Sequence, residues 1–455
     1  MLRPILAAFV LLVLNSALLA QEALPSPTAS TIKVEVRQVL VPVVVTDRKG
    51  HHVTGLKASD FRVLEEGVPQ KVVAFSTEAE GASDLFQPQP VTATPTLPPA
   101  PPSSPPGVNP TPRRTYLICI DTLNSAFGNF AQVRGALRKL FREERSPDSQ
   151  YALLALGRQV MIIQNLTRDP VAMLAAIDNK DLTKAIQQSE STNLLRQESE
   201  LTQKLGEYCR KCSCDGSRPP TSRTSSGTDV VCSGEWAKIE MWGGSAAQER
   251  TTQIRELLRD LRRLAEQLSR LPGKRSLILV SDGFNLRPGR DLFGLMAVYV
   301  QDPGVLLHNP AESLEPEVQE ILRAAAARDV TFYTLDSRGL YGGPSVGYDA
   351  TSDYHPTRET YVVLPALQQE KETMALEDES AMRELAEATG GVFFHNSNDL
   401  LKGMRQSFTD GREYYVLAYA SANQTADGRF REIKVEVKGR NLLVRAKRGY
   451  WAPAK

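Results

Sequence analysis

The sequence predicts an α/β protein: a doubly wound, mostly parallel sheet, inserted between N- and C-terminal β segments that join in a β-sandwich-like module. Three observations predict it. Between residues 114 and 408, continuous apolar runs alternate with amphipathic helical stretches, the pattern of βαβ units built around a parallel sheet. Both ends of the chain instead alternate apolar and polar residues with a period of two, the mark of half-buried strands. Residues 86–113 are rich in proline, which removes backbone donors, so this stretch reads as an extended linker and a domain boundary.

The first residues, MLRPILAAFVLLVLNSALLAQ, combine Arg3, an apolar run from Ile5 to Leu19 and the small residue Ala20. This is the pattern of a secretory signal peptide over residues 1–20, too short to span a bilayer comfortably. No later stretch reaches spanning length, so the processed chain is expected to be secreted or periplasmic with no transmembrane segment. The N-terminal β segment, residues 32–80, opens with IKVEVRQVLVPVVVTD, which sets Ile32, Val34 and Val36 on one face. Pro42 requires an edge or a bulge there. DFRVLEEGVPQKVVAF then gives two more strands around Glu66-Gly67. Such a unit is too small to bury much on its own.

Within residues 114–408, TYLICID reads as a strand buried on both faces. A helix follows from Phe130 to Phe141, with Phe130, Val133, Leu137 and Leu140 at helical spacing. YALLALGRQVMIIQNLT supplies two strands and DPVAMLAAID opens a helix. Residues 183–250 are polar, carry most of the cysteines and read as an irregular insertion. The helical stripe resumes over Thr252–Arg270 with Ile254, Leu257, Leu258, Leu261, Leu264 and Leu268. RSLILVSDG is a strand, EVQEILRAAAARD a helix and VTFYTLD a strand. After a second irregular stretch at 340–370, AMRELAEATGGVFF gives a helix, a glycine stop and a strand. Residues 412–452 return to alternation as EYYVLAYAS, FREIKVEVK and NLLVRAKRGYWA, three strands fit to pair with the orphan segment at the start.

At 455 residues the chain holds two or three folding units, and its net charge of +1 gives no reason to expect nucleic acid as a partner. Of five cysteines, Cys119 lies in an apolar run and reads as a buried small hydrophobe. Cys209, Cys212, Cys214 and Cys232 cluster. An even count in an exported chain favours two disulfides. A four-thiolate zinc site is the alternative, because Cys209 and Cys212 have C-x-x-C spacing.

Asp121 ends the first parallel strand in IDTLNS, and Asp282 stands at the same place in LVSDG. Two carboxylates at strand ends suit a hard divalent cation. The order of elements, the Asp-x-x-x-Ser after the first strand and the later Ser-Asp-Gly resemble the von Willebrand factor A (VWFA) domain. The resemblance implies a metal-ion-dependent adhesion site of Asp121, Ser125, Thr192 and Asp282, holding Mg²⁺ or Mn²⁺ with an open position for a protein ligand's carboxylate. Thr192 is carried over because Ser191-Thr192-Asn193-Leu194 is similar to the family's Gly-Gly-Thr-Asn segment. Leu123 replaces the family's middle serine and offers no oxygen. The order VPVVVTDRKGHHVTGLKASDFRVLEEGVPQ, linker, α/β domain, REYYVLAYAS and VRAKRGYW further resembles acidobacterial VWFA-related exported proteins over residues 32–452.

Enzymatic patterns fit poorly. Haloacid-dehalogenase-type phosphatases carry a second aspartate where Leu123 stands, and the chain has neither a Gly-x-Ser-x-Gly elbow nor HExxH spacing. His51, His52, His308, His355 and His395 read as surface residues. The expectation is a non-catalytic protein-binding module. A metal-independent structural or assembly protein of the cell envelope is the alternative, with an unrecognised hydrolase behind it.

Overall fold

The computed structural model describes residues 38–77, 113–187, 191–212, 214, 227–340 and 364–454. The signal-peptide reading, most of the proline-rich linker and most of the second irregular stretch lie outside these residues.

The N-terminal segment forms β1 (Gln38–Asp47), β2 (Phe61–Glu65), β3 (Val68–Gln70) and β4 (Val72–Thr77). The α/β region follows with β5 (Arg114–Asp121), α1 (Phe130–Glu143), β6 (Ser149–Leu156), β7 (Val160–Thr167), α2 (Pro170–Ile177), α3 (Lys180–Gln187), α4 (Ser191–Lys211) and α5 (Gly227–Leu268). It continues with β8 (Lys274–Ser281), α6 (Arg290–Val300), α7 (Glu315–Ala327), β9 (Val330–Asp336), α8 (Leu364–Ala388), β10 (Phe393–Phe394) and α9 (Leu400–Asp410). The chain closes with β11 (Tyr415–Ala420), β12 (Phe430–Val437), β13 (Leu442–Ala446) and β14 (Gly449–Trp451).

The six strands β5–β10 form one sheet in the order β10-β9-β8-β5-β6-β7, parallel except for β7. Alternation along β5 explains why helices cover both faces. Leu117 and Cys119 enter a core with α5, α7 and α8. Tyr116, Ile118 and Ile120 enter the opposite core with α1, α2, α3 and α9. A strand with no polar face must be covered twice, and continuous apolar runs encode that requirement.

Strands from the two ends of the chain pair with each other, while the Ile32, Val34 and Val36 face expected from the alternation lies outside the described residues. β1, β4, β11 and β13 make one four-stranded sheet, and β2, β3, β12 and β14 another. Val39, Val41, Val43 and Val45 of β1 share a single core with Phe61, Val63, Tyr415, Leu417, Tyr419 and Ile433. Pro42 is tolerated because β1 pairs there with β11 alone, β13 joining only from Val43 onward.

Three sequence expectations are corrected. The polar stretch 183–250 is largely helical, and the helix expected from Thr252 begins at Gly227. Its buried face runs through Trp236, Ile239, Gly243, Ala247, Arg250, Ile254, Leu257 and Leu261, spaced three or four apart. One glycine of this stretch is a close contact point: a Cβ at Gly243 would stand 2.2 Å from Met296 Cε on α6. Of two disulfides, Cys209–Cys214 closes a short loop at the end of α4 and Cys212–Cys232 ties that end to the start of α5, with Cα separations of 5.3 and 5.8 Å. NLLVRAKRGYWA is two strands in different sheets, turning a corner at Lys447 and Arg448, whose side chains pair with Asp329 and with Glu384 and Glu387. His52 is not a surface residue; its side chain is buried against Asp410.

That last contact locks the terminal module to the α/β region. Asp410, the last residue of α9, has no exposed surface. Arg445 of β13 donates to it at 2.5 and 2.8 Å, Gln406 donates at 2.9 Å, and His52 Nε2 lies 2.7 Å from Oδ1. Burial works to raise the Asp410 pKa, but the Arg445 and His52 bonds and the Arg445 charge outweigh it and hold the carboxyl at about 2. The stability this group lends is present above its ordinary pKa of 3.8 and fades as pH falls toward 2. Asp410→Ala leaves Arg445 without its counter-charge and is expected to cost about 3–5 kcal/mol at neutral pH. Urea unfolding measures this; a loss below about 1 kcal/mol, the worth of an exposed pair, would refute the lock.

Candidate functional site

Three neighbouring parallel strands, β5, β8 and β9, end side by side, and each delivers an acidic residue: Asp121, Asp282 just beyond Ser281, and Asp336. Parallel strands place their carboxyl ends on one rim, where open α/β sheets gather functional groups. Gly283, at φ +98°, turns the chain away so closely under α8 that a Cβ would stand 2.9 Å from the Asp378 carbonyl oxygen.

The structure brings Asp121, Ser125 and Asp282 together. Asp121 is fully buried; its Oδ1 accepts from the amides of Leu123 at 2.9 Å and Asn124 at 3.1 Å. Its Oδ2 accepts from Asn124 Nδ2 at 2.9 Å and Ser281 Oγ at 2.6 Å. Asp282 Oδ2 accepts from the Ala126 amide and Asn129 Nδ2, both at 2.8 Å, and Oδ1 accepts from Ser337 Oγ. Ser125 Oγ accepts from the Asp282 amide at 3.2 Å. Thr192 sits in the first turn of α4, whose Leu194 and Glu198 reach this rim; the Thr192 side chain lies outside the described residues. Burial raises the pKa of both aspartates against the opposing pull of these hydrogen bonds.

These residues do not fit the metal shell that the resemblance implies. A hard cation such as Mg²⁺ needs about six oxygens, several of them with free lone pairs. Here all four carboxylate oxygens of Asp121 and Asp282 already take protein donors. Leu123, only 3% exposed, is packed into the core where the family places an oxygen ligand. Hydrogen bonds do the work that a cation would do, tying the β5 loop to β8 and β9.

Beside this cluster lies a cleft of about 250 Å³ between the β8 loop and helices α4, α5 and α8. Four carboxyl residues, Glu198, Asp282, Asp291 and Asp378, and two arginines, Arg250 and Arg338, line it. Both arginines are engaged: Arg250 with Asp291 and with Gln197 at 2.9 Å, and Arg338 with Asp336 at 2.8 Å and Glu379 at 3.1 Å. The sequence pattern singled out Asp282 alone among these. Arg250 occupies a position on the apolar stripe of α5, and Asp378 lies in a helix with no distinguishing motif, so periodicity could not mark either.

No protein-family model and no curated protein matches the chain. Among solved structures, an aerotolerance-related membrane protein from Bacteroides fragilis is similar at 11% identity, covering 65% of this chain and 98% of that one, with a TM-score of 0.29. The conserved hypothetical protein BatB from Bacteroides thetaiotaomicron is similar at 13% identity over 65% and 98% of the two chains, with a TM-score of 0.27. Likenesses of that size carry no argument about this site, which stands on its own geometry. Among the described residues no helix is long and apolar enough to cross a membrane.

Asp378 gives the cleft a titratable signature. Burial, with the Asp291 charge adding to it and Arg338 opposing, raises its pKa to about 7. Its folded pKa lies above the ordinary 3.8, so the stability it lends is complete below that value and is lost as pH rises through 7. Asp378→Asn, which keeps the neutral form at every pH, is expected to raise Tm at pH 8 by a few degrees, about 2–4 °C per kcal/mol recovered. At pH 4 the variant and parent should melt together. Calorimetry at both pH values checks this, and a variant less stable at pH 8 would refute it.

Proposed function

We propose that this chain is an exported, non-catalytic protein-binding module of the VWFA type, engaging its partner at the carboxyl ends of β5, β8 and β9. The observation that carries the reading is the convergence of Asp121, Ser125 and Asp282 at those strand ends, beside an open cleft. Two disulfides suit an oxidising compartment, which supports export. The adhesion-like site works through a preorganised polar surface rather than a loaded cation. Its carboxylates outnumber its guanidiniums, so a basic or neutral polar side chain suits the cleft better than the carboxylate that a metal would draw. The terminal β segments, packed as a sandwich, hold this module in a fixed orientation. That rigid junction at Asp410 also favours a second reading, a metal-independent structural protein of the envelope.

Partner capture tests the two together. The purified chain, with and without EDTA, is used to cross-link envelope proteins beside Gln253→Arg, which fills the cleft from α5 and leaves the Asp121 and Asp282 side chains in the sequence. Capture that resists EDTA and is lost in Gln253→Arg supports the proposal. Capture abolished by EDTA and restored by Mg²⁺ or Mn²⁺ would establish the metal mechanism instead. Capture indifferent to both treatments would leave the structural reading.

A further inference from the structure

Helix α8 is attached differently along its two halves. Ala381, Met382, Leu385 and Ala386 sit in the core against the sheet. Just ahead of them the Asp378 carbonyl accepts from the Phe284 amide at 3.2 Å, which anchors the helix to the β8 loop. Over residues 364–375, by contrast, Met374 is the one buried residue among the described side chains. The contacts there are mostly polar. Glu370, Met374, Glu377 and Asp378 share one face at helical spacing. Glu370 lies over Gly294 of α6 so closely that a Cβ on Gly294 would stand 2.3 Å from its Oε1. That oxygen is buried and accepts no hydrogen bond among the described residues, and Arg290 Nη2 stands 3.8 Å from it. Arg290 instead gives its Nε to the two Glu377 oxygens at 3.1 and 3.2 Å.

The other charges around this face are committed. Asp291 of α6 pairs with Arg250 of α5, and Arg338, beyond β9, pairs with Asp336 and Glu379. Lys371 pairs with Glu198 of α4 at 2.7 Å, and Asn285 donates to Glu377 at 3.2 Å. With all three α8 carboxyls ionised, Glu370 and Glu377 share one arginine, and Asp378 meets the Asp291 charge, which Arg338 offsets only in part.

We propose that residues 364–375 form a lid on the cleft, closed against α6 while Glu370 and Asp378 hold protons and released when both ionise. Met374 and Asp378 line the cleft, so release widens it from the α8 side. The lid's use rests on the binding role proposed for that cleft; its movement needs no partner. Burial raises the Glu370 pKa, with Arg290 opposing and Glu377 adding to it, and Asp378 titrates at about 7. Both folded values lie above the ordinary 4.5 and 3.8, so the closed arrangement is fully favoured below those values and is lost as pH rises through 7. The second half of α8 has no such dependence, because apolar packing holds it.

Hydrogen–deuterium exchange of the full chain at pH 5 and pH 8, each rate divided by the intrinsic rate at that pH, tests this in the absence of any partner. Residues 364–375 are expected to lose about tenfold or more of their protection at pH 8, while residues 381–388 keep theirs. The chain carrying both Glu370→Gln and Asp378→Asn should show its pH 5 protection at pH 8 as well, with thermal melting to establish that it folds. Equal protection of residues 364–375 at both pH values in the parent would overturn the proposal. So would a loss that persists in the folded double variant, or one that spreads equally through residues 381–388.

Discussion

One buried carboxylate holds the two halves of this protein in register. Asp410 closes the last helix of the α/β region and takes hydrogen bonds from residues near both ends of the chain, Arg445 from β13 and His52 from the turn after β1. A charge with no exposed surface persists only when its lone pairs are filled, so the position of α9 dictates where both terminal strands must lie. The constraint propagates inward. Phe408, two residues before Asp410, stacks on Tyr116 of β5 at a centroid distance of 4.2 Å, and the Tyr116 hydroxyl donates to the Phe408 carbonyl at 3.1 Å. β5 is the strand that delivers Asp121 to the rim, so the terminal module and the candidate site share one rigid chain of contacts.

At the rim the same chemistry recurs with a different purpose. Asp121 and Asp282 are buried carboxylates whose four oxygens each accept from hydroxyls, amides or asparagine side chains. A divalent cation would need those oxygens. Leu123 packs into the core beside α5, while the Asn124 and Asn129 side chains donate to Asp121 and Asp282. These bonds hold the loop closed and keep its polar face preorganised.

The sheet and the convergence of Asp121, Ser125 and Asp282 were legible because both are encoded locally. Continuous apolar runs require two covered faces, and a strand's last residue sits on the rim wherever parallel strands end. Other features were not legible, for physical reasons. α5 hides its first half behind glycines and serines, residues that favour loops unless close helix packing demands a missing side chain, as Met296 demands at Gly243. His52 looks like a turn residue because its partner lies 358 positions away. Arg250 and Asp378 obtain their character from neighbours on other helices, which no local pattern records. NLLVRAKRGYWA reads as one strand because its alternation continues through the corner, although Lys447 and Arg448 leave the sheet to reach Asp329, Glu384 and Glu387.

The topology also orders assembly. β1 pairs with β11 in the register Val43↔Tyr415, a contact that closes a loop of several hundred residues. In an unfolded chain that closure is costly, and the short strands at either end bury too little to drive it. Once the α/β region has folded the cost changes, because β5 and α9 lie against each other through Tyr116 and Phe408 and bring the two flanking segments to one place. The effective loop then shrinks to the residues outside the folded region. The terminal strands thus depend on the folded α/β region to be brought together, and Asp410 is the group that couples the two. An inserted domain of this kind is stable as an architecture only when its own ends are adjacent, which the Tyr116–Phe408 contact ensures here.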